Sequence, residues 1–254
     1  MATYKKRGYK PKNKAEKQAQ LEDGSTTAEV FKSLDEGASK TEAWVEKNQK
    51  YILGVVGAIA IAVLGYIAYQ QFIQEPKEIE ATNEMFKAQE YYELAQSAPA
   101  RDSLYNLSLN GGEGKYGFLD IIDNYGGTSA GNRARYYAGM AYLNLKDYQQ
   151  AINFLDDYKG SDEMTGPLAK GAIGDAFVQL GQNDEALKYY EEAANMRENS
   201  VTSPRFLLKA GITALNLGQA DVALAHFKAI EENYPEAPEA AKAIIYVGKA
   251  EAMQ

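Results

Sequence analysis

Cysteine is absent from the chain and histidine occurs once, at His226. The first absence removes disulfides, thiolate nucleophiles and cysteine metal sites together, yet says little about compartment, since cysteine-free proteins work on both sides of bacterial membranes. The second excludes multi-histidine metal centres and weakens any catalytic triad. His226 has no partner motif around it and reads as a partly exposed helical residue. Two glycine-rich stretches, Gly111-Gly112-Glu113-Gly114 and Gly126-Gly127, lack the apolar strand before them and the Lys-Ser/Thr after them that a phosphate loop needs, so they read as turns. The paired acids Asp156-Asp157 and Glu191-Glu192 point in different directions when helical and suit solvated faces better than acid–base work. The sequence therefore predicts a non-enzyme without cofactor or metal.

Charge is unevenly spread. Residues 1–50 hold 11 Lys/Arg against 8 Asp/Glu, whereas residues 75–254 hold 16 against 27. The acidic part is a poor partner for DNA, because phosphate contacts need clustered Lys/Arg. Between the two parts, Tyr51 to Gln74 carries no charge and is rich in Ile, Val, Leu, Ala and Gly. As a helix rising about 1.5 Å per residue it covers a hydrocarbon core of about 30 Å, which predicts a transmembrane helix at 51–74. A cleaved signal peptide fits less well: the run is long, fifty residues precede it, and no clear A-x-A site follows. Trp44, Lys47, Lys50 and Tyr51 on one side, with Tyr66 and Tyr69 on the other, have the make-up of membrane-interface belts. Eleven Lys/Arg precede the span, and only Lys77 and Lys87 come between it and Arg101. The positive-inside rule then puts the N-terminus in the cytoplasm and the large domain outside, in the periplasm of a bacterial inner-membrane protein. Gly54, Ala58 and Ala62, four residues apart, form either a smooth ridge for a second transmembrane helix or lipid-compatible filler.

Residues 1–25 are polar and basic and lack the apolar periodicity of a folded segment, which predicts a disordered cytoplasmic tail. Tyr4 and Tyr9 lie among seven basic residues that serve topology alone, or also RNA bases or lipid headgroups. Over 26–50 the spacing of Val30, Phe31, Leu34, Trp44 and Val45 predicts juxtamembrane amphipathic helices. Capping-box spacing at Thr26/Glu29 and Ser39/Glu42 makes them two, broken near Gly37.

The last third of the chain is self-similar. Segments starting at Ala134, Ala169 and Phe206 align so that Gly139, Gly174 and Gly211 coincide. So do Leu145, Leu180 and Leu217, then Ala151, Ala186 and Ala223, then Leu155, Tyr190 and Phe227. Small residues belong where paired helices press together, and larger ones fill the gaps. This period of 35 to 37 residues resembles the tetratricopeptide repeat, a helix–turn–helix unit, and Pro235 matches that repeat's closing proline. The first signature aromatic position departs from it, holding Arg135, Lys170 and Leu207. The resemblance implies an all-α chain in which one transmembrane helix leads into a tetratricopeptide-repeat α-solenoid over 75–254. Repeats fall at 132–165, 167–200 and 204–237, followed by a capping helix at 237–252. Upstream, Ile79–Ala95 and Tyr116–Tyr125 read as a degenerate first helix pair separated by the loop around Gly111.

In that repeat the first helix of each pair lines a concave surface. Carried over by the alignment, the lining is Arg133, Tyr136, Met140 and Leu143, then Leu168, Asp175 and Val178, then Arg205, Leu208, Ile212 and Leu215. Two readings stay open for this apolar surface: a peptide-binding groove, or a face covered by capping helices. The asparagine with which some relatives grip a C-terminal carboxylate is replaced by Met140, Asp175 and Ile212, which argues against co-chaperone function of that kind. The layout of tail, single span and acidic repeats is similar to the YfgM family of ancillary Sec translocon subunits. That resemblance implies a protein held beside the translocon channel subunits, working with a membrane-anchored periplasmic chaperone on exported polypeptides. The charge of the basic tail, on its own, suggests a ribosome contact as a further expectation. A scaffold for outer-membrane biogenesis or cell division would use the same solenoid.

Overall fold

The computed structural model describes residues 26–254, with side chains from residue 41 onward. The basic tail with Tyr4 and Tyr9, and the side chains of 26–40, lie outside the described residues. The chain divides into two compact units at Tyr69/Gln70.

The first unit is a single helix, α1, Thr26–Tyr69. It runs through Gly37 without the expected break. One interior glycine costs a helix about 1 kcal/mol, which good helix formers on both sides, such as Ala28, Glu29, Leu34 and Ala38, outweigh. From Leu53 to Tyr69 every side chain is exposed, including Ile59, Ile61 and Leu64. A Cβ added at Gly54, Gly57 or Gly65 would meet no atom within 4 Å. A helix apolar on all faces and covered by nothing among the described residues of its own unit needs an apolar surrounding, and this one is long and apolar enough to cross a membrane. Trp44, Tyr51 and Tyr66 are likewise exposed.

The second unit opens with a π turn, Gln70–Gln74, and continues as helices alone among the described residues. These are α2 (Glu75–Ser97), α3 (Arg101–Asn110), α4 (Phe118–Tyr125), α5 (Ser129–Asn144), α6 (Tyr148–Asp156), α7 (Thr165–Gln179), α8 (Asn183–Asn195), α9 (Thr202–Asn216), α10 (Ala220–Asn233) and α11 (Ala240–Glu251). Each helix from α4 onward packs on the next, which makes the unit an α-solenoid. Helix α3 stands where the sequence reads only a loop. Its apolar stripe is interrupted by Ser108, which is buried and donates to the Tyr105 carbonyl, so periodicity gives no sign of it. The helix is held by tertiary packing: Tyr105 meets Tyr92 of α2 edge-on, with centroids 5.5 Å apart.

The three aligned columns explain how the pairs close. A Cβ at Gly139 would lie 2.5 Å from Leu155 Cγ, one at Gly174 2.6 Å from Tyr190 Cε1, and one at Gly211 2.4 Å from Phe227 Cε1. In each repeat the glycine of the first helix thus receives the large residue of the second. Ala151, Ala186 and Ala223 are fully buried beside them. The turns also repeat. Lys146, Gly181 and Gly218 take φ of 64°, 74° and 74°. The next N–H in each case (Asp147, Gln182, Gln219) reaches back to Tyr142, Phe177 or Ala214 at 2.9 Å. This is a Schellman closure, and Lys146 adopts it without the glycine that relieves it in the other two repeats.

Candidate partner-binding surface

The N-terminus of α5 is built first by its own residues. Thr128 accepts from the Gly131 N–H at 3.0 Å, and the Glu78 carboxylate of α2 accepts from the N–H groups of Ser129 (2.6 Å) and Ala130 (2.8 Å). An acid at a helix N-terminus satisfies orphan donors and the helix dipole together. Arg133 lies 3.9 Å from the same carboxylate. Arg135, at the position where the repeat signature has an aromatic residue, donates to the Gly126 carbonyl at 3.0 Å and pins the α4–α5 turn.

A cleft of about 810 Å³ opens at this end of the repeats, lined by Asn132, Arg133, Tyr136 and Tyr137 of α5 together with Tyr158, Lys159, Asp162 and Thr165. Tyr136 meets Tyr158 at 5.3 Å between ring centroids and Tyr137 at 5.8 Å, while Tyr137 stacks on Phe118 at 5.3 Å. The Tyr158 hydroxyl is fixed to Thr165 Oγ1 at 2.6 Å. Burial raises the Tyr136 hydroxyl above its ordinary pKa, with Tyr158, Tyr137 and Asp162 adding to it and Arg205 opposing. Asp162 accepts from the N–H groups of Met164 (2.8 Å) and Thr165 (2.7 Å) and from the Thr165 hydroxyl. Those bonds, led by the Thr165 hydroxyl, hold its carboxyl down to about 2.

The remaining residues expected to line the surface divide into three groups. Leu143, Asp175 and Val178 meet in a second concavity of about 400 Å³ with Tyr148, Gln179 and Tyr190. Met140, Leu168 and Ile212 are half-buried against core clusters, and Arg205 is exposed. Leu208 and Leu215, only 8% and 5% exposed, are a correction: they share a core cluster with Ala240, Ala243 and Ala250 of α11. Stacking the last helix on the third repeat removes them from any groove. Asp175 also has a structural task. It accepts from the Tyr190 hydroxyl at 2.6 Å and from Lys209 Nζ at 2.5 and 2.7 Å, joining the second and third repeats. Burial, then the charge of Asp175, raises the Tyr190 hydroxyl strongly.

Tyr158 and Lys159 come from the segment after a second helix, outside the first-helix positions the repeat pattern points to. The available signal was an aromatic and a cation side by side where that pattern asks for neither. His226 does have a partner, Glu191 at 2.9 Å, and Glu192 lies 3.6 Å from Lys170. The paired acids thus diverge, as adjacent helical residues must, but each meets a cation or ring from another helix. Lys170 also bonds Asp156 at 3.0 Å. Burial pulls the Lys170 ammonium down, yet Asp156 and then Glu192 leave its pKa raised overall.

Residues 133–161 and residues 172–238 match the tetratricopeptide repeat family. No curated protein matches the chain. The helical unit therefore carries tetratricopeptide repeats, units that serve as protein–protein interaction scaffolds.

Proposed function

We propose that this repeat chain is a membrane-anchored protein-interaction module, held in a bacterial inner membrane by α1, with its N-terminus cytoplasmic and the repeat unit periplasmic. The observation that carries the reading is the pairing of a helix whose run from Tyr51 is uncharged and exposed with a repeat unit whose first half keeps an open, tyrosine-lined cleft. Charge asymmetry around the span supports the orientation. Lining of this sort, with rigid aromatics and a few cations, is the composition of protein-recognition surfaces, and nothing in it calls for a catalytic role.

The more specific reading is an ancillary subunit of the Sec translocon. It rests on the resemblance in layout to the YfgM family, and it makes the channel subunits, a membrane-anchored periplasmic chaperone and exported polypeptides the partners. The test is mild-detergent affinity purification of the intact protein, with the ridge Gly54, Ala58 and Ala62 changed to Leu as control. Channel subunits that co-purify and are lost with the variant support the assignment and place the contact in the membrane. Their absence from both samples sinks it and favours a scaffold of another envelope assembly. A reporter active only outside the cytoplasm, fused after Gln254, must be active if the orientation is right.

A further inference from the structure

The repeat unit carries a surplus of eleven acids, yet the cleft at Tyr136 is lined by the cations Arg133, Arg135 and Lys159, of which Arg135 is engaged with the Gly126 carbonyl. Lys159 and Arg205 form no ion pair among the described residues, whereas Lys87, Lys170, Lys188 and Lys209 all do. Arg133 is half-exposed, and its nearest carboxylate, Glu78 at 3.9 Å, is already taken up by the Ser129 and Ala130 N–H groups. Of the two acids in the lining, Asp162 is turned onto the start of α7 by its bonds to Met164 and Thr165, and Asp157 is exposed. Arg205, exposed at the start of α9 in the third repeat, is not among the residues that line the cleft, and its charge acts on the Tyr136 hydroxyl from beyond that lining.

From these observations, and resting on the interaction-module reading above, we infer that the cleft takes an acidic, aromatic-bearing extended segment of a partner protein. The cations Arg133, Lys159 and Arg205 meet its carboxylates and the Tyr136–Tyr158 wall meets its rings. The wall is pre-organised: Tyr158 is fixed by Thr165, and Tyr136 is backed through Tyr137 by Phe118, so binding orders few side chains. The charge pattern sets the length of the segment. A long polyanion such as RNA would meet the acidic remainder of the unit, while a short acidic stretch meets only the cleft.

The probe is a fluorescent random copolymer of glutamate and tyrosine, titrated against the full chain in detergent micelles and followed by anisotropy. Binding is expected, weakening with added salt, and weakening about tenfold or more in the Lys159→Glu/Arg205→Glu double variant at an unchanged melting transition. Both positions are exposed and without ion pairs among the described residues, so the variant leaves the fold intact. Equal affinity of the variant, or equal binding of a lysine–tyrosine copolymer or a single-stranded oligouridylate, would overturn the inference. The same variant carried through the affinity purification separates the two claims. Partners lost only from the variant support the cleft, whereas partners retained equally by both sink the acidic-segment assignment and leave the module standing. An unmodified protein that retains no partner sinks the module itself.

Discussion

Glycine to alanine is a substitution whose sign reports helix packing, and two sites in this chain should give opposite answers. At Gly248, in the exposed face of α11, a new Cβ would meet nothing within 4 Å. The only effect there is helix propensity, a gain of up to about 1 kcal/mol. At Gly211 the same Cβ would lie 2.4 Å from Phe227 Cε1 and 2.6 Å from Cζ. Phe227 is fully buried, its ring stacked on Tyr246 of α11 at 5.3 Å, so it has nowhere to move. Overpacking of this kind costs about 1–3 kcal/mol, with more where neighbours are rigid, and exceeds the propensity gain. Gly211→Ala should therefore destabilise the repeat unit by about 1–2 kcal/mol, a fall in melting temperature of roughly 2–8 °C for a unit of this size. Phe227→Leu in the Gly211→Ala background should recover part of the loss through non-additivity. Thermal melts at 222 nm of the full chain in micelles would read all four proteins. If Gly211→Ala raised the melting temperature as Gly248→Ala does, the account of paired glycine and large-residue columns would be wrong.

Three further outcomes follow from the same structure. Lys146 sits at φ 64° where its counterparts are Gly181 and Gly218, so Lys146→Gly should stabilise the unit by about 0.5–1 kcal/mol in urea titration, relief of left-handed strain outweighing the added unfolded-state freedom. Glu78→Gln weakens the charged cap on Ser129 and Ala130 and should cost about 1 kcal/mol, with faster hydrogen exchange confined to the first turn of α5. The Asp162 carboxyl is held down to about 2 from its ordinary 3.8. A depressed acid stabilises the fold above its unfolded value, and that contribution is lost as pH falls from about 4 to about 2. Asp162→Asn should accordingly show a smaller drop in melting temperature across that window than the parent protein; an equal drop would remove Asp162 from the account.

The fold was legible in the sequence wherever chemistry repeats. The match of Gly139 with Leu155, Gly174 with Tyr190 and Gly211 with Phe227 is a volume constraint, small against large, and such constraints survive in sequence even where the aromatic signature has drifted to Arg135 and Lys170. The uncharged run from Tyr51 was legible because water is absent from its expected surrounding. Helix α3 was not, since its stability lies in the Tyr92–Tyr105 contact and its stripe contains a buried serine. The unbroken course of α1 through Gly37 was missed because capping signals are local and weigh little against helix propagation. The candidate surface was partly legible. First-helix spacing points to Arg133 and Tyr136, which line the cleft, whereas for Leu208 and Leu215 it left a groove and a face covered by a capping helix both open, and their packing with α11 fits the second. That spacing does not reach Tyr158 and Lys159, which enter from a connecting segment.

The central claim is that the open cleft at Tyr136 receives a protein partner while the sealed end of the solenoid does not. The direct measurement is site-specific photocrosslinking in intact cells, with a benzophenone amino acid placed at Tyr136, at Leu208, which is buried, and at Val222, which is exposed on α10. The account predicts a discrete adduct with the co-purifying partner from position 136 and none from 208 or 222. Adducts of equal yield from 136 and 222, or none from 136 while the partner still co-purifies, would contradict it.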